Sequence, residues 1–156
     1  MVRKIALLTA LATVAAAIAS VAAVANTGDK AVGGGQTMVG ERGAGDTIAF
    51  SALENGKGIV GQVQYVDREG GTGKGQTVLH GTVDCLEVAE NVAVFAGTWN
   101  SGGDFEVYVE DNGEPNQGND MIFVNQEAAE PDCQEDDNYE DDATSLSRGN
   151  AQVFDR

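Results

Sequence analysis

The chain has 156 residues, 25 acids against nine lysines and arginines, and a formal charge of −16 at pH 7. That charge repels phosphate backbones and anionic bilayers, which argues against nucleic acid and lipid surfaces as partners. A single histidine excludes a multi-histidine metal centre.

Val2-Arg3-Lys4 makes a basic start, residues 5–19 form an apolar run, and Ala23-Val24-Ala25 resembles a signal-peptidase site. Residues 1–25 are expected to be a secretory signal peptide, with residues 26–156 as one β domain outside the cytoplasm, secreted or at the cell surface. An uncleaved anchor is the alternative, because the apolar stretch approaches the length of a spanning helix. Cleavage removes Arg3 and Lys4 and no acid, so the formal charge falls by two to −18. No later segment is apolar enough to span a bilayer, so no membrane partner is expected after cleavage.

Helical periodicity is nearly absent beyond residue 25, and short alternating segments recur between Gly- and Asn-rich turns. Residues 31–39 are a Gly-rich candidate strand. Ile48, Phe50 and Ala52 alternate with Thr47, Ala49 and Ser51, and Asn55-Gly56 then reads as a turn whose residues tolerate positive φ. Along 59–67, Val63 and Tyr65 share one face and Gln62 and Gln64 the other, the pattern of a half-buried strand. Residues 68–75 read as a flexible loop. Residues 76–88 are β-rich, 89–91 turn the chain, 92–99 return it, and 100–103 turn it again. Phe105, Val107 and Val109 alternate with Glu106, Tyr108 and Glu110. A polar loop at 111–119 precedes a strand at 120–125, and 150–155 is a short closing β segment. Residues 127–142 carry nine acids and no base, which reads as a solvated acidic loop.

Cys85 and Cys133 are the only cysteines. In an oxidising compartment a disulfide between them is expected, and it would tie the acidic loop to the strands. About eight or nine strands with short links imply an all-β antiparallel meander. A closed barrel is favoured because closure removes exposed edges; a β-sandwich is the alternative.

Five stretches carry a resemblance: Gly33-Gly34-Gly35-Gln36; Gly61-Gln62-Val63-Gln64-Tyr65-Val66-Asp67; His80-Gly81-Thr82-Val83-Asp84-Cys85-Leu86; Val109-Glu110-Asp111-Asn112-Gly113-Glu114-Pro115; and Gly149-Asn150-Ala151-Gln152-Val153. In this order they resemble a family of small secreted bacterial all-β domains of unassigned activity, found alone or as C-terminal modules of extracellular proteins. The resemblance spans most of the chain after residue 25. It implies an extracellular β module and carries over no catalytic residue; the acidic stretch at 127–142 departs from the family's pattern.

No catalytic constellation stands out. His80 has no neighbouring motif to make it a general base, and Ser51, Ser101, Ser145 and Ser147 lie in no nucleophile elbow. An enzyme is therefore not expected, and no cofactor beyond weak calcium. Asp111, Asn112 and Glu114 offer hard oxygens around Gly113, a candidate metal loop, although the same residues suit a plain turn. Asp136, Asp137 and Asp141 form a second weak calcium candidate without EF-hand spacing. Tyr65, Phe95, Trp99 and Phe105 could line a ligand interior if Gly61, Gly81 and Gly97 leave room. The leading expectation is a secreted structural or interaction module whose partner is an extracellular macromolecule or small molecule. A small-molecule-binding barrel and a weak calcium-binding domain are the alternatives.

Overall fold

Alternation of apolar and polar residues drives the chain into strands, because each strand must bury one face. The computed structural model describes residues 28–37, 45–68, 76–113, 120–129, 133–134 and 139–156. Its elements are β1 (Lys30–Thr37), β2 (Thr47–Asn55), β3 (Gly58–Asp67), β4 (Thr77–Ala89), β5 (Val92–Trp99), β6 (Asp104–Glu110), β7 (Met121–Ala128), α1 (Tyr139–Asp142) and β8 (Thr144–Phe154). Consecutive strands pair antiparallel and β1 also pairs β8, so the meander closes as a barrel. The strands are not evenly spaced around an axis. No helix among the described residues is long and apolar enough to cross a membrane. The expected signal peptide, residues 1–25, lies outside the described residues.

The inward residues form one core. Ile48, Phe50 and Ala52 of β2 meet Val63 and Tyr65 of β3, Val83 of β4, Phe95 and Trp99 of β5, and Phe105, Val107 and Val109 of β6. Two aromatic pairs lie within it: Phe50 and Phe95 at 5.2 Å between centroids, and Trp99 and Phe105 at 4.4 Å. The Tyr65 ring belongs to the core while its hydroxyl donates to the Asp46 carboxylate, so the polar tip of a buried aromatic is satisfied.

Several boundaries differ from the sequence reading. The turn after β2 places its positive φ at Gly58 (126°), not at Asn55 or Gly56; Asn55 acts through its side chain, accepting from the Lys57 amide. Strand β7 begins after Asp120 and runs on through Glu127 to Ala128, and Tyr139–Asp142 form a helical turn, so residues 127–142 are not one loop. Strand β8 starts at Thr144 rather than near residue 150. Its polar Ser, Arg and Gly residues hide it from alternation; backbone pairing to β1 from Lys30↔Phe154 to Thr37↔Leu146 makes it a strand.

Closure is uneven at β8. Strand β7 meets β8 at two residue pairs only, Met121↔Ser145 and Ile122↔Thr144. Beyond them two carboxylates stand in for a partner strand. The buried Asp120 accepts from the amides of Ala151 at 2.8 Å and Asn112 at 3.0 Å, and its carbonyl accepts from the Leu146 amide. Asp111 accepts from the amides of Val153 and Gly113, each at 3.1 Å. Hydrogen bonds to a charged acceptor contribute about 1.5–3 kcal/mol each, and a buried amide left unpaired costs about as much. Asp120→Ala is therefore expected to lower unfolding stability by about 3 kcal/mol, read as a lower urea midpoint with an unchanged m value. A loss below about 0.5 kcal/mol would show that Asp120 does not hold the seam.

Candidate functional site

The two outer sides of the barrel differ. On β5 and β6 the outward Val94, Ala96, Glu106 and Tyr108 are buried although none belongs to the core. The expected solvent face of β6 is thus buried, and Tyr139 of the acidic segment packs on it at Tyr108. Cys133, itself buried, is bonded to Cys85 on β4 with 6.1 Å between Cα atoms, as the cysteine count predicts. Tyr139 stacks on Phe123 with centroids 5.7 Å apart and tilts against Tyr108 at 6.2 Å. Glu106 is 5% exposed, and its Oε1 has no hydrogen-bond partner among the described residues.

Among the described residues, the outer side of β1 to β4 is exposed or half-exposed, although Asn150 Oδ1 at its β8 end is buried. Cross-strand register aligns two rows over it. One runs Asn150, Gly34, Ala49, Gln64, His80; the other runs Gln152, Val32, Ser51, Gln62, Thr82. Neither row holds a lysine, arginine, aspartate or glutamate, in a chain of charge −16. Because Ala49 and Ser51 are short, an open trough of about 290 Å³ forms there, lined also by Gln62, Gln64 and His80 with Gly33, Phe50 and Val63. Charge resumes at Asp84 and Asp104, both hydrogen-bonded to Thr98 on β5.

The sequence-selected residues fall in different places. His80 lies on this face, and Ser51 is on β2 with β3 between them. Two inter-strand steps and a two-residue stagger put their Cα atoms about 12 Å apart, beyond the reach of a nucleophile–base hydrogen bond. Ser147 donates to the carbonyls of Gln36 and Thr37, and the Ser145 hydroxyl lies 3.2 Å from Met121 Sδ. Tyr65, Phe95, Trp99 and Phe105 are all buried in the core. The space at Gly81 is taken by rings: a Cβ there would lie 2.5 Å from Phe105 Cε1 and 2.9 Å from Trp99 Cε3. Gly61 and Gly97 sit against neighbouring backbone, Ser51 O and Thr82 O respectively. These glycines permit close packing rather than leaving room.

Of the metal candidates, Glu114, Asp136 and Asp137 lie outside the described residues. Both carboxylate oxygens of Asp111 accept backbone amides, and Gly113 takes φ 122°, so this part of the loop forms the turn that its residue types also suit. The Asn112 side chain accepts from Asn91, and Asp141 is exposed on α1. Among the described residues no three His, Cys, Asp or Glu side chains converge as metal ligands would.

Sequence reasoning placed Gln62 and Gln64 on an outer face but missed the neutral rows. The signal available was the lack of charge at alternate positions of β2, β3 and the first half of β4. No family model, no curated protein and no solved structure matches the chain.

Two measurements check this packing. Gly81→Ala is expected to cost about 1–3 kcal/mol by forcing the Trp99 and Phe105 rings apart, with a shifted emission from Trp99, the only tryptophan. Unchanged stability and emission would mean that free space adjoins Gly81. Replacing both cysteines by serine is expected to lower stability by up to about 4 kcal/mol for a bridge spanning 48 residues. It should also raise binding of a hydrophobic dye as Val94, Tyr108 and Phe123 open; unchanged dye binding would show that the disulfide does not hold the cover in place.

Proposed function

We propose that this protein is an extracytoplasmic, non-catalytic interaction module whose binding face is the outer surface of β1 to β4. The observation that carries this reading is the pair of uncharged rows, from Asn150 and Gln152 to His80 and Thr82, on a strongly acidic chain. Taking an ionised carboxylate out of water costs several kcal/mol, whereas an amide or hydroxyl that regains a hydrogen bond costs little. A partner is thus accepted most easily where the chain displays no charge. On the opposite side Val94, Ala96, Glu106 and Tyr108 are already buried, and Tyr139 packs against Tyr108 and Phe123. The disulfide is compatible with an oxidising compartment and supports the extracytoplasmic part of the reading. The separation of Ser51 from His80 supports the non-catalytic part.

The test is to mix isotope-labelled protein with envelope and extracellular material from the cells that make it, and to follow assigned backbone amide signals. Signals of Ser51, Gln62, Gln64, His80 and Thr82 are expected to shift or broaden while those of Val94, Tyr108 and Phe123 stay in place. Perturbation confined to β5 to β7, or none anywhere, overturns the proposal.

A further inference from the structure

We infer that the trough across β1 to β4 binds a neutral, hydroxyl-rich polymer, an uncharged polysaccharide strand lying across the β-strands. The inference rests on the reading of this surface as the binding face and adds the chemistry of its ligand.

The trough presents Ser51, Gln62, Gln64 and His80. Each is a side chain that can both donate and accept hydrogen bonds without a formal charge. Ala49 and Ser51 keep the floor low between the two glutamines, which are cross-strand partners of these two short residues. A sugar hydroxyl is likewise donor and acceptor, so this set matches it in either sense.

Other ligand classes fit less well. An anion would approach a chain of charge −16 with no lysine or arginine in the two rows. A cation would find no carboxylate in them. An apolar molecule would have to strip water from two amides, a hydroxyl and an imidazole without replacing those bonds. A peptide adding as a strand needs a free sheet edge, whereas β1 to β4 are each paired on both sides. The rows cross five strands from β8 to β4, about 19 Å at the usual inter-strand spacing. That length suits an extended chain better than a single small molecule. Because each row member sits on a paired strand, the donors and acceptors hold their spacing before the ligand arrives.

His80 is the only histidine, so its ring signals report on the trough without ambiguity. The labelled protein is titrated with cellohexaose, maltohexaose and hexameric N-acetylglucosamine, and with oligogalacturonate as the anionic counterpart. At least one neutral oligomer is expected to give saturable shifts of the His80 ring and of the Gln62 and Gln64 side-chain amides, and oligogalacturonate none. Ala49→Arg fills an exposed position in the trough and should weaken that binding about tenfold or more while leaving the thermal midpoint unchanged. Gln64→Ala, which cannot block the trough, should weaken it in the same direction. Three silent neutral oligomers, equal shifts with oligogalacturonate, or unaltered affinity in both variants would overturn the inference. If the oligomers are silent while envelope material still perturbs His80, the ligand class fails and the binding face stands. If neither perturbs it, both fail.

Discussion

Strand β8 carries the closure of this protein, and among the described residues most of its outer edge has no strand to pair with. Its inner edge pairs β1 over eight positions, whereas β7 reaches it at only two. An open run of amides at that seam would leave the sheet with an edge and the core with a leak. Asp120 and Asp111 satisfy the Ala151 and Val153 amides from the ends of the loop between β6 and β7. Carboxylates suit this place because each offers two acceptor oxygens to backbone donors that point the same way. With β8 held, β1 is paired on both sides, and the core contributions of Ala31 and Ala151 stay at the centre of the ring.

Closure also decides what each outer surface can do. A ring exposes no strand edge between β1 and β4, so that surface works through side chains alone. The β5 to β7 side is different because its outward residues are apolar enough to need a cover. Val94, Ala96 and Tyr108 are buried there, and Tyr108 is met by Tyr139, which follows the bridged Cys133 in the chain. An acidic segment would not lie on a sheet by its own preference, since nine acids within residues 127–142 favour solvation. The disulfide and the Tyr139 stack supply the attachment that this composition lacks.

Much of the architecture was legible because it is local. Strand β5 and the 100–103 turn follow from an apolar run bounded by turn residues, and Gly102 and Gly103 do take positive φ. Strand β8 was mostly missed because Leu146, Ala151 and Val153 are its only large or core-facing apolar residues before Phe154, and its pairing partner lies more than a hundred residues away. The burial of Tyr108 was illegible for a related reason: Tyr139, which packs on it, belongs to a segment joined to β4 by a bond across 48 positions. Asp111 could be read as a turn residue, since Gly113 follows it, but the hydrogen bond from Val153 could not. The proposed binding face was half visible. Alternation put Gln62 and Gln64 outside, yet their alignment with Ser51, Ala49 and His80 requires the register of three strands at once.

The distribution of charge joins these features. Acids are common at the turns, seams and cover: Asp46 holds the Tyr65 hydroxyl and the Arg68 amide, Asp111 and Asp120 hold β8, and Glu140, Asp141 and Asp142 form the exposed turn of α1. Lateral rows across β1 to β4 are free of them. Repulsion among exposed carboxylates is relieved by spreading them, and a barrel offers its whole outside for that purpose. Solubility alone would therefore favour acids on this broad sheet face too, in place of the glutamines, threonine and valine that occupy it. Neutral amides on rigid, doubly paired strands are instead what a surface needs when it must shed water and regain each lost bond from a partner.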